Sequence, residues 1–340
     1  QIFWNWLVKR FPLWVAPNLI TLFGLVINVV TSLLLLYHSP TAREEAPAWA
    51  YLAFAIGIFV YQTLDAIDGK QARRTGSGTP LGSLFDHGCD AITKVFMCIG
   101  TCCVMETGES PELMLLLSVC FFIPYYISLW SSCLSGKFTF GFMDCTEEQF
   151  VIMGLPIISA VFGPSIWSTN VPLIGVSFRA AVTLIYVFSN ILVVVLGHLA
   201  IILKSDPSPG LAFLFPVTLA FVAYKMSSVS LYQTHPCLFL SMVGITVAKI
   251  TIKLIIAQMT KSNMTILDSS LIGPGLLLLD QCLNSFINEY ILLWLSLVYV
   301  TLDLATYSSV LCMQICDHLD IYCFSITSKP SLNGLKLRKL

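Results

Sequence analysis

Apolar residues run along this chain in blocks of about twenty, separated by short polar breaks. That period predicts membrane-crossing helices, not the alternation of a half-buried strand or the stripe of a soluble helix. The blocks fall at roughly 18–38, 48–66, 82–105, 112–134, 148–165, 178–203, 210–231, 236–258, 271–288 and 290–313. The ninth is interrupted by Gly273-Pro274-Gly275, and only Asn288-Glu289-Tyr290 parts it from the tenth. Ahead of the first block, residues 1–14 (QIFWNWLVKRFPLW) mix Trp, Phe and Leu with Lys9 and Arg10. That mixture suits an amphipathic helix lying in the membrane interface. The expected architecture is an all-α polytopic membrane protein of about ten transmembrane helices plus the N-terminal interfacial helix, with 15–320 as one membrane domain and 321–340 as a tail.

Composition narrows the class. Of 340 residues, 56% are apolar and 11% charged, and the mean hydropathy is +0.83. Soluble domains carry about 25% charged residues, so this chain has too few to keep a water-facing surface. A net charge of −1 offers no basic excess for nucleic acid. Zinc-finger spacing, a basic helix and a Walker-type phosphate loop are all absent from the sequence. The twelve cysteines sit mostly in apolar runs and form no CxxC pair, so they are expected as free, packed thiols. No cleavable signal peptide is visible, and Gln1, not Met, opens the sequence, which leaves room for a preceding segment.

Charge also orients the spans. With the N-terminus in the cytosol, Lys9, Arg10, Lys70, Arg73, Arg74, Lys137, Lys204, Lys261, Lys329, Lys336, Arg338 and Lys339 all fall on the cytosolic side. The lumenal loops receive Arg43 with Glu44 and Glu45, and the acidic stretch 106–112. This is a positive-inside distribution.

One stretch breaks the apolar pattern. Residues 64–92, LDAIDGKQARRTGSGTPLGSLFDHGCDAI, place four aspartates, a histidine, a lysine and two arginines where charge is costly. At about 100° per residue, Asp65, Asp68, Gly69 and Ala72 share one helix face with Arg73 beside them, and Gly82, Asp86 and Asp90 share another with His87 beside them. Residues 75–81 form a short turn that returns the chain, so the two faces meet at one edge of the membrane. Four crowded carboxylates stay ionised only if cations neutralise them. An all-oxygen set favours Mg²⁺ or Mn²⁺ over zinc, and two such ions can clamp a diphosphate. Gly69 and Gly82 admit phosphate oxygens to the backbone, and Arg73, with Lys70, adds positive charge. Structural ion pairs, or the ion pathway of a transporter, are the competing readings. Transporters commonly repeat such a feature in a second half, and here one charged hairpin stands in the first third with no counterpart.

The pattern D-x2-D-G-x2-A-R-x8-G-x3-D-x3-D is met by Asp65, Asp68, Gly69, Ala72, Arg73, Gly82, Asp86 and Asp90. The chain thereby resembles the CDP-alcohol phosphatidyltransferases. APNLIT at 16–21, DGKQARRT at 68–75, PLG at 80–82, LFDHGCD at 84–90, HPCL at 235–238 and QMTKS at 258–262 are similar to the eukaryotic choline/ethanolamine phosphotransferase branch over nearly the whole chain. Ser83 stands where that branch suggests Glu.

The resemblance implies a homodimer in the Golgi or endoplasmic reticulum membrane. It implies Mg²⁺- or Mn²⁺-dependent transfer of phosphocholine from CDP-choline to diacylglycerol, through two ions, at a site facing the cytosol. Asp65, Asp68 and Asp86 are then expected as metal ligands, and Asp90 as ligand or base. Asn18, Asp65, Gly69, Ala72, Arg73 and Gly82 are expected at CDP. The acceptor is a neutral lipid alcohol whose proton must go somewhere. A metal-bound Asp90 is a poor base, whereas His87 has a suitable free-state pKa and adjoins the ligands. Glu147 or its neighbour Glu148, with Glu147 the first choice, is expected to orient that histidine. Tyr61, Phe85, Tyr125, Tyr126 and Trp130 are candidates for the quaternary ammonium; packing is the commoner role for each. Dual choline/ethanolamine use is the alternative.

Asn263-Met264-Thr265 is a glycosylation sequon, and the charge-derived topology puts it in the cytosol. It is expected to carry no glycan, so endoglycosidase treatment of the expressed protein should leave its gel mobility unchanged.

Overall fold

A computed structural model describes residues 2–135, 145–172, 175–203, 207–227, 229–283 and 286–326. These form α1 (Ile2–Val8), α2 (Pro17–His38), α3 (Ala48–Thr75), α4 (Pro80–Val104), α5 (Pro111–Ser135), α6 (Cys145–Phe162), α7 (Phe178–Gly197), α8 (Leu199–Ile202), α9 (Ser208–Met226), α10 (Leu231–Thr234), α11 (Pro236–Thr260), α12 (Ile272–Cys282) and α13 (Glu289–His318). Lys137, Lys204, Lys329, Lys336, Arg338 and Lys339, part of the expected cytosolic charge, lie outside the described residues.

Each predicted span overlaps a helix, the sixth being divided between α7 and α8, and the chain is an all-α polytopic membrane protein. Among the described residues seven helices, α2, α3, α5, α7, α9, α11 and α13, are long and apolar enough to cross a bilayer. The other predicted spans differ for separate reasons. The third, α4, carries Asp86, His87, Asp90 and Lys94. The ninth is an 11-residue helix, about 16 Å long, against a hydrocarbon core of about 30 Å. Gly273 packs on α13 there: a Cβ at that position would sit 2.9 Å from Val300 Cγ1.

The second span also ends later than hydropathy indicates. α3 continues through Asp65–Arg73 to Thr75, because its polar end is held by the segment before α2. Arg74 donates to the Val8 and Phe11 carbonyls. Gln71, fully buried, donates to the carbonyls of Pro12 at 2.9 Å and Val15 at 3.2 Å. The turn that follows has the expected chemistry. Gly76 closes α3 at φ 63°, a left-handed conformation suited to glycine. Thr79 caps α4 by accepting from the Gly82 N–H at 3.2 Å, with Pro80 at the first helical position.

α2 packs against both α3 and α4, while α3 and α4 meet each other only sparsely. The close approach depends on absent side chains: a Cβ on Gly57 would lie 1.9 Å from Thr31 Oγ1 of α2, and one on Gly100 would lie 2.3 Å from the Phe54 ring. α11 covers α4 from the other side, with α13 beyond it. Charge pairs tie these outer helices. Lys249 of α11 bonds to Asp303 of α13 at 2.6 Å and to Asp268 at 3.1 Å, and Lys253 reaches Asp268 at 2.7 Å. Burial raises the Asp268 carboxyl, but its bonds to Lys253, Ser270 and Lys249 prevail and hold it well below the usual carboxylate range.

Removing one partner of such a network leaves buried charge without compensation, so Asp268→Asn is expected to cost about 3 kcal/mol. Thermal unfolding in detergent reads this as a lowered Tm; an unchanged Tm would make the network energetically neutral.

Candidate active site

The polar end of α3, the start of α4, the start of α2 and the segment 321–326 surround a cavity of about 450 Å³. Asn18, Asp68, Gly69, Ala72, Arg73, Gly82 and Asp86 line it. Asp65 lies behind them, with one carboxylate oxygen from each of Asp65, Asp68 and Asp86 within 4.8 Å of the other two. The two predicted faces therefore converge. Gly82 leaves the cavity open beside Asn18, since a Cβ there would already approach Asn18 Oδ1 to 3.7 Å.

Each carboxylate has different surroundings. Asp68 is buried and accepts from the Thr21 hydroxyl on one oxygen and from the Gly69 N–H on the other. Asp65 and Asp86 are within hydrogen-bonding reach of each other, and Oδ1 of Asp65 is buried with no partner. Asp90 stands outside the group of three and accepts from the Tyr61 hydroxyl at 2.7 Å. Among the described residues none of the four forms an ion pair. An orphaned buried oxygen within a crowded, all-oxygen, unpaired set fits a hard divalent cation.

His87 lies on the neighbouring face of α4. Its Nδ1 is 2.7 Å from the Ser83 carbonyl. A carbonyl only accepts, so Nδ1 carries the hydrogen and Nε2 is the ring's acceptor. His87 lines a second cavity, of about 230 Å³, with Leu129, Ile255, Gln258 and Met259. Ser83 lines both cavities.

The structure disperses several of the remaining candidates. Glu147 is exposed in the first turn of α6. Its neighbour Glu148 bonds to Lys94 and Tyr186, and Lys94 lies about two turns along α4 from His87. Tyr61 is fully buried. Tyr125 donates to the His87 carbonyl at 3.0 Å. Tyr126 and Trp130 turn toward α9: the Tyr126 ring lies 4.5 Å from that of Phe213, and Trp130 packs on Gly210. Phe85 meets Phe324 edge-on, with ring centroids 5.7 Å apart.

Sequence reasoning missed two features. Thr21 lies one turn after Asn18 in APNLIT, on the same helix face, so a place beside Asn18 was readable, whereas its bond to Asp68 depends on the register between α2 and α3. The segment 321–326 had no such signal: Asn18, expected at CDP, donates to the Cys323 carbonyl at 3.0 Å across 305 positions.

A carboxylate cluster at the wall of a cavity lined by Arg73 and by Gly69, Gly76, Gly78 and Gly82 suits an integral membrane phosphotransferase. Comparison with known proteins agrees. Residues 14–138 match the family model for CDP-alcohol phosphatidyltransferase. The chain is 43% identical over 340 residues to cholinephosphotransferase 1 of Danio rerio, covering 96% of this chain and 89% of that protein. It is 42% identical over 336 residues to the Homo sapiens protein of the same name, covering 95% and 83%. A Dictyostelium discoideum protein described as an uncharacterized CDP-alcohol phosphatidyltransferase class-I family protein is 33% identical over 348 residues, covering 98% and 82%. The chain belongs to the CDP-alcohol phosphatidyltransferase family and is a phosphotransferase enzyme, which sets the transporter reading aside.

Groups that orient metal ligands typically matter 10- to 100-fold. Thr21→Val keeps the shape and removes the donor to Asp68, so CMP release is expected to fall by about that factor and to need more Mg²⁺. An unchanged Mg²⁺ dependence would assign Thr21 to packing alone.

Proposed function

We propose that the chain transfers phosphocholine from CDP-choline to 1,2-diacylglycerol, giving phosphatidylcholine and CMP. The observation that carries this reading is the convergence of Asp65, Asp68 and Asp86 at the wall of a cavity lined by Gly69, Arg73 and Gly82. The relatives named cholinephosphotransferase 1 support choline as the head group. The distribution of Lys and Arg supports a site facing the cytosol, and the family resemblance supports the Golgi or endoplasmic reticulum membrane. The homodimer follows from the family resemblance.

Divalent cations held by Asp65, Asp68, Asp86 and Asp90 would supply charge neutralisation to the diphosphate. The chain's own groups do the rest. Arg73 offers fixed positive charge to phosphate, and the glycines allow backbone approach. Tyr322 lines the cavity, where its aromatic face can meet a quaternary ammonium. The acceptor hydroxyl oxygen attacks the choline-bearing phosphorus and the P–O bond to the CMP phosphate breaks. CMP leaves with that electron pair, and the hydroxyl proton passes to Nε2 of His87. Ser83 lines both the cavity beside His87 and the first one, which supports an acceptor that passes His87 and brings its hydroxyl to the phosphorus on the Ser83 side.

Purified protein given CDP-choline, diacylglycerol and Mg²⁺ is expected to release CMP and form phosphatidylcholine in equal amounts; no CMP release would overturn the proposal. General-base catalysis is worth about 10²- to 10⁴-fold, so His87→Ala should lose turnover on that scale, and near-normal turnover would remove His87 from the mechanism. In competition, CDP-choline should outcompete CDP-ethanolamine; parity would favour the dual-specificity alternative.

A further inference from the structure

We propose that Tyr61 is a positioning residue for the transfer, one whose hydroxyl fixes Asp90 at the deep end of the carboxylate cluster. This rests on the phosphotransferase reading above and assigns to Tyr61 a task that its aromatic face does not suggest.

α3 and α4 are joined by a tight turn and run antiparallel, so their facing residues form rungs. On one rung Asp65 is within hydrogen-bonding reach of Asp86. The next rung lies four residues back on α3 and four forward on α4, and there Tyr61 faces Asp90 at 2.7 Å. Carboxyl meets carboxyl on the first rung, and a carboxylate meets a phenol donor on the second. A charge-assisted hydrogen bond of this kind is short and directional. It stops the carboxylate rotating, with Oδ1 committed to the phenol. Asp90 is also the one member of the four that stands outside the group of three converged oxygens, and the tether accounts for that separation.

The phenol is held from several sides. Tyr61 is fully buried, in a cluster with Leu25 of α2 and Cys89 of α4. Gly24 of α2 lies against it, where a Cβ would come within 3.4 Å of Tyr61 Cδ2. Since α3 and α4 otherwise meet sparsely, the Tyr61–Asp90 bond is also a direct tie between the two halves of the motif. A ring seated this way presents no face to a ligand, so its contribution is the hydroxyl.

The test is Tyr61→Phe in protein embedded in lipid nanodiscs, which keeps the ring and removes one oxygen. Mn²⁺ titration followed by electron paramagnetic resonance, without nucleotide, is expected to show affinity weakened by about 10- to 100-fold. Turnover should fall by a similar factor, with KM for CDP-choline changed by less than about twofold. The effect should vanish in an Asp90→Ala background, because that variant leaves the phenol no side-chain acceptor at position 90. Wild-type Mn²⁺ affinity in Tyr61→Phe, even with a lowered Tm, would overturn the proposal by leaving Tyr61 a packing residue. Full additivity with Asp90→Ala would overturn it too. The Mn²⁺ titration needs no turnover, so it still reads Tyr61 if the wild-type protein proves inactive on CDP-choline.

Discussion

Three carboxylates within 4.8 Å of one another, inside a bundle meant for lipid, cannot all hold charge without compensation, and the fold around them is organised by that constraint. Elsewhere in the helices three lysines are matched within the protein: Lys94 with Glu148, and Lys249 and Lys253 with Asp268 and Asp303. The aspartates of α3 and α4 receive hydroxyls, a backbone N–H and one another, and no cation among the described residues. The contrast separates a structural pair from a crowded, unpaired set of the kind that suits a divalent cation.

The helix arrangement follows from the same need. α2 supplies Thr21 to Asp68 and Asn18 to the cavity wall, and it packs against both α3 and α4. α4 borders two spaces, with Asp86 lining the larger one and His87 the smaller, and Ser83 lining both. Under the proposed reaction the acceptor hydroxyl meets the phosphorus in the larger cavity, on its Ser83 side, and gives its proton to Nε2 of His87. The Nδ1–H bond to the Ser83 carbonyl selects the tautomer that this requires.

The carboxylate faces were legible in the sequence because helical geometry fixes which residues stand together, and because four aspartates in an apolar chain demand an explanation. The turn was legible from Gly76, Thr79 and Pro80. Tyr61 was misread toward its face because its bond to Asp90 depends on the register between two helices, which the sequence of either one does not carry. Tyr126 and Trp130 lie on α5, close in sequence to Tyr125, yet they turn toward α9. The choice between Glu147 and Glu148 depends on the rotation of α6, which buries Glu148 against Lys94. The return of 321–326 to Asn18 is a contact across almost the full chain, with no local pattern to announce it. The short α12 escaped because hydropathy counts apolar residues and not helical ones.

The most direct test of the central claim is a structure of the protein with CDP-choline and Mg²⁺ bound. The account predicts the diphosphate in the cavity between α3 and α4, beside Arg73 and Gly82, with cation density among Asp65, Asp68 and Asp86 at Mg–O distances of about 2.1 Å. A nucleotide bound elsewhere, or a diphosphate held in that cavity with no ion among the three aspartates, would contradict it.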